Sequence, residues 1–415
     1  MRHIAVMLAG VVLMACQAQQ PDNQTPKTKS AQAKPEISAE YIAKVHEQTL
    51  TLDTHIDIPL TYMTEIDPSQ LTDLQVDIPK MSKGQLDAGF WIVYTPQGEL
   101  TEEGLEAAQE IAGTRIAAID QFIAENTKHV ALAKTAQDVR RITSEGRKAI
   151  LIGMENAYPI GDAIDTVSYY AEAGVRYMGI THFGHNQFGD SSNLNFVRDK
   201  GPKWNGLSPL GIELIREMNE HGIMVDVSHA GKATMMQAAD LSKTPIIASH
   251  SGVKAVADTA RNLDDEQLRK IKAVGGVAQM VALGSYVKLP TEEQAAARKV
   301  LDDEFGDRAS WDQAKRDLYG ERRDEITAMA READVADFVN HIDHAVKVAG
   351  INHVGIASDF DGGGGINGWQ DARETLNVTA ELLNRGYSES DIAKNMGRKS
   401  APGHGSRRGR GKVMP

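Results

Sequence analysis

The chain has 415 residues, of which 41% are hydrophobic and 25% are charged, values typical of a soluble globular protein. This length suffices for one large α/β barrel or for two ordinary domains. A net charge of −12, with no basic groove motif in the body of the chain, argues against a nucleic-acid-binding protein. Cys16 is the only cysteine, which excludes a disulfide framework and leaves His, Asp and Glu as ligands for any transition metal.

Residues 1–16 are typical of a targeting segment, because a short basic start precedes an apolar run too short to span a bilayer. The sequence Leu-Met-Ala-Cys that ends at Cys16 resembles the lipobox of bacterial lipoproteins, in which cleavage precedes a cysteine that is then acylated. An ordinary secretory signal is the alternative. Gln17 resembles the outer-membrane sorting pattern, so we expect a lipid-anchored protein of the bacterial cell envelope that faces the periplasm.

The composition changes after this leader. Residues 17–37 are rich in Gln, Pro, Lys, Ala and Thr and lack a hydrophobic period, which predicts a disordered tether. One domain is predicted over residues 38–397, beginning with a short helix over 38–48. Residues 398–415 form a basic Gly/Arg/Lys tail that is also expected to be disordered.

The domain alternates short apolar runs with amphipathic helical stretches. Eight runs are predicted as buried strands, over residues 50–57, 89–95, 149–155, 175–181, 222–228, 245–249, 275–283 and 353–359. The main helical patterns cover residues 103–126, 164–173, 209–221, 232–241, 264–273 and 335–349. This alternation predicts a parallel sheet covered on its outside, and eight units predict an α/β fold of the (β/α)8 TIM-like barrel type. An open doubly wound sheet is the alternative, but no Gly-rich phosphate turn follows the first strand.

Residues 290–331 interrupt this rhythm with a strongly charged, helical insertion after the seventh predicted strand. Loops at this end of a barrel shape the substrate pocket, so the insertion is a candidate lid. A solvated decoration or an oligomer contact is an equally good interpretation.

Six of the eight predicted strands end in an ionisable residue, and in a barrel these ends meet at one mouth. The residues are His55, Asp57, Glu155, His182, His229, His250, Asp359 and Asp361. Buried ionisable groups are costly unless they are paired or bind metal. A cluster of three ligand histidines and two carboxylates, drawn from these eight residues, exceeds the usual three protein ligands of one catalytic zinc. It predicts a binuclear site with a bridging carboxylate and a bridging hydroxide at the C-terminal mouth.

Several motifs in order resemble the membrane (renal) dipeptidase family of zinc metallopeptidases, which belongs to the amidohydrolase class. They are His55-x-Asp57, Glu155, Thr181-His182, Val225-Asp226-Val227-Ser228-His229, Ser249-His250-Ser251, Arg261-Asn262-Leu263 and Ser358-Asp359-Phe360-Asp361-Gly362. The resemblance extends from about residue 50 to about residue 397. The family's usual Gly-x-Asn-x-x-Arg pattern is replaced by the basic tail, which affects expectations for stability and dimer contacts more than for chemistry.

The resemblance implies two Zn²⁺ ions and a ligand for each position. His55 and Asp57 match ligands of the first zinc, and His229 and His250 match ligands of the second. Glu155 matches the bridging carboxylate, in place of the carboxylated lysine that many members of the wider class carry.

The resemblance also implies roles around the substrate. His182 matches the residue that contacts the substrate near the scissile carbonyl, and Arg261 matches the cation that holds the C-terminal carboxylate. Asp359 matches the acid/base that handles the proton of the attacking water and of the released amine. Arg261 has a second interpretation as the cap of the following helix.

Further residues have weaker assignments. Asp361 is interpreted as a supporting residue behind the ligands, and Asp226 as a residue that orients a ligand imidazole. Candidates for lining the pocket are His185, Asn186 and Tyr286. Residues predicted to be structural are His341, His344, His353, Trp91 and Tyr94, of which Tyr94 could also reach the site.

The expected function is hydrolysis of dipeptides with a free C-terminal carboxylate, and the family resemblance implies that D-residues are allowed at that position. Alternatives are another amidohydrolase activity on the same site, such as N-acyl amino acid deacylation or lactone opening, and a non-catalytic lipoprotein that binds metal or peptide. Expected partners are dipeptides and, through Cys16, the membrane; a homodimer is left open.

Overall fold

Nine parallel strands form the centre of the computed structural model, which describes residues 1, 37–194, 199–306 and 311–397. The strands are β1 Leu52–Ile56, β2 Ala88–Tyr94, β3 Val130–Leu132, β4 Lys148–Glu155, β5 Val175–Gly179, β6 Met224–Asp226, β7 Ile247–Ser251, β8 Val277–Val281 and β9 Val354–Ala357. Eight of them pair in the order β1-β2-β4-β5-β6-β7-β8-β9, and β3 pairs with β4 outside this path. All eight predicted strands are therefore present, and β3 is one that the sequence did not predict.

The barrel closes between its first and last strands. A parallel bridge joins Ile56 to Phe360, and the backbone N–H of Asp57 donates to the Phe360 carbonyl over 2.9 Å. The N–H of Asp359 donates to the carbonyl of His55 over 3.1 Å. These contacts confirm the predicted (β/α)8 barrel and bring the motif after β1 beside the motif after β9.

Helices connect the strands, and many of them pack on the outside of the sheet. They are α1 Ala39–Gln48, α2 Ile78–Lys83, α3 Glu102–Glu125, α4 Ala136–Ser144, α5 Val167–Ala173, α6 Pro209–Glu220, α7 Lys232–Leu241, α8 Asp265–Ala273, α9 Gly284–Val287, α10 Glu292–Phe305, α11 Gln313–Thr327, α12 Val335–Ala349, α13 Thr375–Arg385 and α14 Glu389–Met396. The long helix α3 packs on β2, and α12 packs on β8 and β9. Side chains that accept from the first turn start many of them, as Asp264 does in the capping box of α8.

The strands are buried on both faces, which explains their continuous apolar sequence. Along β4, Ile150 and Ile152 belong to the large hydrophobic cluster shared with the helices, whereas Ala149 and Leu151 belong to a second cluster. Successive residues therefore serve two cores. Trp91 packs against Phe122 and is buried, as predicted.

The predicted insertion forms two helices, α10 and α11, with a small core of their own. That core contains Leu301, Phe305, Trp311 and Tyr319. The insertion follows α9, which carries Tyr286 of the cavity described below. Its role as lid, decoration or contact surface stays a prediction.

The predicted leader, tether and tail lie outside the described residues, apart from Met1 and Ile37. Among the helices that the structure describes, none combines the length and the apolar character needed to cross a bilayer.

Gly153 leaves space inside the barrel for a large side chain from the next strand. A Cβ on Gly153 would lie 2.3 Å from Cζ of the buried Tyr177 ring. We therefore expect Gly153→Ala to lower the free energy of unfolding by about 1–3 kcal/mol, measured by urea denaturation. The matched control is Gly113→Ala, because Gly113 is exposed on α3 with no atom near its Cβ position. It should raise stability by about 0.5–1 kcal/mol. A Gly153→Ala protein as stable as the parent would contradict this account of the packing.

Candidate metal centre

The motif at the end of β1 places two polar side chains at the mouth of the barrel. His55 is completely buried in the strand, and Asp57 follows the strand directly. The Nε2 atom of His55 lies 3.4 Å from Oδ2 of Asp57, 3.6 Å from Oε2 of Glu155 and 3.8 Å from Oδ1 of Asp359. This nitrogen has no hydrogen-bond partner among the described residues. Its surroundings are those of a ligand atom rather than of a satisfied core histidine.

Glu155, the last residue of β4, contacts imidazoles on both sides. Its Oε2 atom faces His55, whereas its Oε1 atom lies 3.0 Å from Nε2 of His229 and 3.2 Å from Nε2 of His250. Burial alone would raise the pKa of Glu155, but the imidazoles of His182 and His55 hold this pKa well below its usual range. An ionised carboxylate with one oxygen towards each set of nitrogens has the arrangement of a bridging ligand.

Three overlapping groups of side chains can each surround a cation, with all ligand atoms of a group within 4.8 Å of one another. They are His55 with Glu155 and His250, Glu155 with His182 and His229, and His55 with Asp57 and Asp359. The structure thus brings all five predicted ligands together and places His182 and Asp359 beside them.

The donor chemistry of this cluster suits a transition metal. The Nε2 atoms of His229 and His250 are only 3.0 Å apart. Burial lowers the pKa of both histidines well below the usual value, and nearby Arg261 lowers each of them further. Two neutral imidazoles whose Nε2 atoms lie this close to each other and to Oε1 of Glu155 can both bind a cation placed between them.

The hydroxyl groups of Tyr177 and Ser249 orient the imidazoles of His55 and His250 through their Nδ1 atoms. The Tyr177 hydroxyl donates to the carbonyl of Thr54 over 2.9 Å and therefore accepts from Nδ1 of His55, 3.1 Å away. This arrangement places the His55 proton on Nδ1 and leaves Nε2 free to bind a cation. The role of Tyr177 was not predicted, because the register that sets it opposite Gly153 is seen only in the structure.

His250 is held in the same way. The Ser249 hydroxyl donates to Oδ2 of Asp226 over 2.7 Å and accepts from Nδ1 of His250, 2.8 Å away. Asp226 therefore orients a predicted ligand, as expected, but does so through Ser249. Such supporting contacts fix the ring orientation of metal-binding histidines.

Asp359 is buried near the carboxylates of Asp57 and Glu155. Burial raises its pKa to about 8, with His55 lowering it and with Asp57 and Glu155 raising it further. In the metal-free protein at neutral pH, this carboxyl group therefore holds a proton.

His182 and Arg261 lie on two sides of the cluster. The His182 ring contacts the rings of Tyr94 and His229, and its Nε2 atom is 3.9 Å from Oε1 of Glu155. Arg261 is buried behind His250, donating to the His250 carbonyl over 2.6 Å and to Oγ of Ser251 over 2.7 Å. Its charge is beside the centre, although its side chain does not line the cavity.

The cluster opens into a cavity of about 540 Å³, within the ~300–1,000 Å³ usual for small-molecule sites. The lining residues are Asp57, Ile58, Pro59, Leu74, Tyr94, Arg115, Glu155, His182, Phe183, His229, His250, Leu283, Tyr286, Asp359, Asp361 and Gly362. The sequence missed Arg115, which comes from the middle of α3.

The secondary assignments have mixed outcomes. Asp361 accepts from the backbone N–H groups of Gln75 and Val76, so it holds a loop behind the ligands as expected. Tyr286 and Tyr94 line the cavity. The expectation that His185 and Asn186 do so is wrong, because both are buried in hydrogen bonds that shape their own loop. His341, His344 and His353 bond to neighbouring elements away from the cavity.

The raised pKa of Asp359 has a testable consequence for the metal-free protein. Asp359 has a pKa of about 8 in the folded protein, against an ordinary value of 3.8. Between these two pH values the unfolded chain releases this proton more readily than the folded protein, so a rising pH lowers the free energy of unfolding. We expect Asp359→Asn to raise the melting temperature, with no gain near pH 4 and the largest gain near pH 8. Each pKa unit corresponds to about 1.36 kcal/mol, so near pH 8 the gain in the free energy of unfolding should reach several kcal/mol. Asp162→Asn, at an exposed position, is the control and should leave the melting temperature close to that of the parent protein. An equal gain for Asp359→Asn at both pH values would contradict the account.

Comparison with known proteins gives a consistent assignment. The family model described as membrane dipeptidase, Peptidase family M19, matches residues 39–400. Dipeptidase verJ of Clonostachys rogersoniana is 28% identical over 359 residues, which cover 83% of this chain and 80% of that protein.

Two solved structures show the same fold. The probable dipeptidase PvdM from Pseudomonas aeruginosa is 32% identical with a TM-score of 0.81, over 86% of this chain and 95% of that chain. A metallopeptidase from Rhodobacter sphaeroides, solved with a phosphinate mimic of the dipeptide L-Ala-D-Ala, is 23% identical with a TM-score of 0.68, over 84% of this chain and 96% of that chain. The resemblance seen in the motifs is confirmed: the chain belongs to the membrane dipeptidase family, Peptidase family M19, and is an enzyme of that type.

Proposed function

We propose that this enzyme hydrolyses dipeptides with a free C-terminal carboxylate and that it uses two Zn²⁺ ions. The observation that carries the proposal is the position of Glu155, with one carboxylate oxygen towards His55 and the other towards His229 and His250. One ion could not occupy both sides of this carboxylate, whereas two ions would share it.

In this proposal, His55 and Asp57 hold the first ion, His229 and His250 hold the second, and Glu155 binds both. When bound, such ions supply a water of lowered pKa and polarise the scissile carbonyl. The hydroxyl groups behind His55 and His250 keep the ligand nitrogens aimed at the cations.

The remaining polar residues act on the substrate and its protons. His182 borders the cavity beside Glu155, where its imidazole can stabilise the oxyanion that develops during attack. With cations bound, their positive charge would lower the pKa of Asp359 from its metal-free value of about 8, so that the ionised carboxylate could take a proton from water and return it to the leaving amine. Arg261 contributes a buried positive charge for the substrate carboxylate. Family resemblance extends the proposal to D-residues at the C-terminal position.

The direct test measures dipeptide hydrolysis by the zinc-loaded protein and by Glu155→Gln. We expect Glu155→Gln to lower kcat/KM by more than about 100-fold, because even residues behind metal ligands contribute 10–100-fold. It should also lose bound zinc in elemental analysis. Glu110→Gln, on the exposed face of α3, is the matched control and should retain both properties. Zinc-loaded parent protein without dipeptidase activity would sink the proposal.

A substrate panel separates this proposal from other amidohydrolase activities. Dipeptides should be cleaved faster than their C-terminal amides, and Arg261→Gln should reduce this preference by removing the buried charge. Faster turnover of N-acyl amino acids or lactones than of any dipeptide would favour the alternative activities named above.

We also propose that the protein is anchored to the outer membrane of a bacterial cell envelope through lipid on Cys16 and faces the periplasm. The support is the sequence of the leader alone. Labelled palmitate should be incorporated into the parent protein in cells, and Cys16→Ser should abolish incorporation and release the protein from the membrane fraction. Equal release of both proteins would show that no lipid anchor is made.

A further inference from the structure

We propose that Arg115 determines specificity, by pairing with an acidic side chain on the N-terminal residue of the dipeptide. This inference rests on the proposed function, because it assumes that a dipeptide occupies the cavity. It goes further by naming a substrate class: dipeptides that begin with Asp or Glu.

Arg115 reaches the cavity from the middle of α3, and its side chain is only 9% exposed. Nε donates to the carbonyl of Ile58 over 3.1 Å, and Nη1 donates to the carbonyl of Tyr94 over 2.7 Å. The guanidinium carbon lies 5.4 Å from the centre of the Tyr94 ring. The cation is therefore fixed in position by contacts that leave its other N–H groups available to a ligand.

The positive charge of Arg115 lies at a buried position. No carboxylate in the described part of the chain forms an ion pair with it, and burial lowers its pKa despite the more distant charges of Asp57 and Glu155. A buried guanidinium paired only with neutral carbonyls is costly, and an anion that enters the cavity would offset this cost. Arginine is well suited to the task because its planar fork matches a carboxylate.

The positions of the two arginines indicate which part of the dipeptide carries that anion. Arg261 lies behind His250 at the end of β7, whereas Arg115 lies beside Ile58 and Tyr94, at the ends of β1 and β2. Glu155 borders the same cavity on β4. A dipeptide with its C-terminal carboxylate on the Arg261 side of the cavity and its peptide bond beside Glu155 would have its N-terminal residue on the side of β1 and β2, where Arg115 lies.

Arg115 also ties the loop after β1 to the end of β2, so its loss could disturb the mouth in general. For this reason the test compares ratios of rates within each variant. Glu-Ala and Gln-Ala have nearly the same shape and differ in charge, and a general defect affects them equally. Ala-Glu and Ala-Gln also differ in the charge of one side chain, but that side chain belongs to the C-terminal residue.

We expect the zinc-loaded parent enzyme to prefer Glu-Ala over Gln-Ala by about tenfold or more in kcat/KM, as a charged hydrogen bond would provide. Arg115→Gln should bring this ratio close to one, mainly through KM for Glu-Ala, and Arg115→Lys should restore part of it. The ratio of Ala-Glu to Ala-Gln should be the same in parent and variants. Arg269→Gln, on the exposed surface of α8, is the control and should match the parent.

An equal rate for Glu-Ala and Gln-Ala in the parent, or an unchanged ratio in Arg115→Gln, would overturn the proposal. A change confined to the Ala-Glu and Ala-Gln pair would overturn the assigned position. Hydrolysis of Ala-Ala tests the proposed function separately. If no dipeptide is cleaved, calorimetric binding of Glu-Ala and Gln-Ala to the same proteins measures the discrimination directly: a preference for Glu-Ala that Arg115→Gln removes supports the proposal, and equal binding overturns it.

Discussion

The architecture of the mouth depends on one buried carboxylate, Glu155, and on the nitrogen atoms gathered around it. Four histidines reach this group from the ends of four strands, namely His55, His182, His229 and His250. Ionisable groups lose several kcal/mol of hydration when buried, and only close partners or cations offset that loss. The cluster therefore lowers the stability of the metal-free protein, and it provides a site for cations. Its assembly requires the barrel, because parallel strands in register bring distant motifs to one edge.

The backbone is strained at three residues of this mouth. His229, Asp359 and Asp361 have φ angles of 63°, 60° and 61°, which non-glycine residues seldom adopt and which often occur at functional sites. Between the two aspartates, Phe360 closes the barrel by accepting from the N–H of Asp57. The turn therefore aims Asp359 at the cluster while Asp361 points back to the loop before α2. Closure of the fold and placement of the acid/base are achieved by one short segment.

The sequence predicted the barrel and the members of the cluster, because each chemical group terminates an apolar strand and strand ends share one mouth. It could not predict β3, which is only three residues long and pairs outside the main path. The roles of Tyr177 and Ser249 were not predicted, because a hydroxyl that orients a ligand is recognisable only from its hydrogen bonds. Arg115 was missed because one arginine in an amphipathic helix normally faces solvent, and its burial depends on how α3 packs on β2.

Whether Glu155 is shared between two cations can be seen by anomalous diffraction from crystals of the zinc-loaded enzyme, recorded on both sides of the zinc absorption edge. We expect two zinc peaks, one coordinated by His55, Asp57 and one oxygen of Glu155, the other by His229, His250 and the second oxygen. A single peak in the mouth, or two peaks of which only one contacts Glu155, would contradict this expectation.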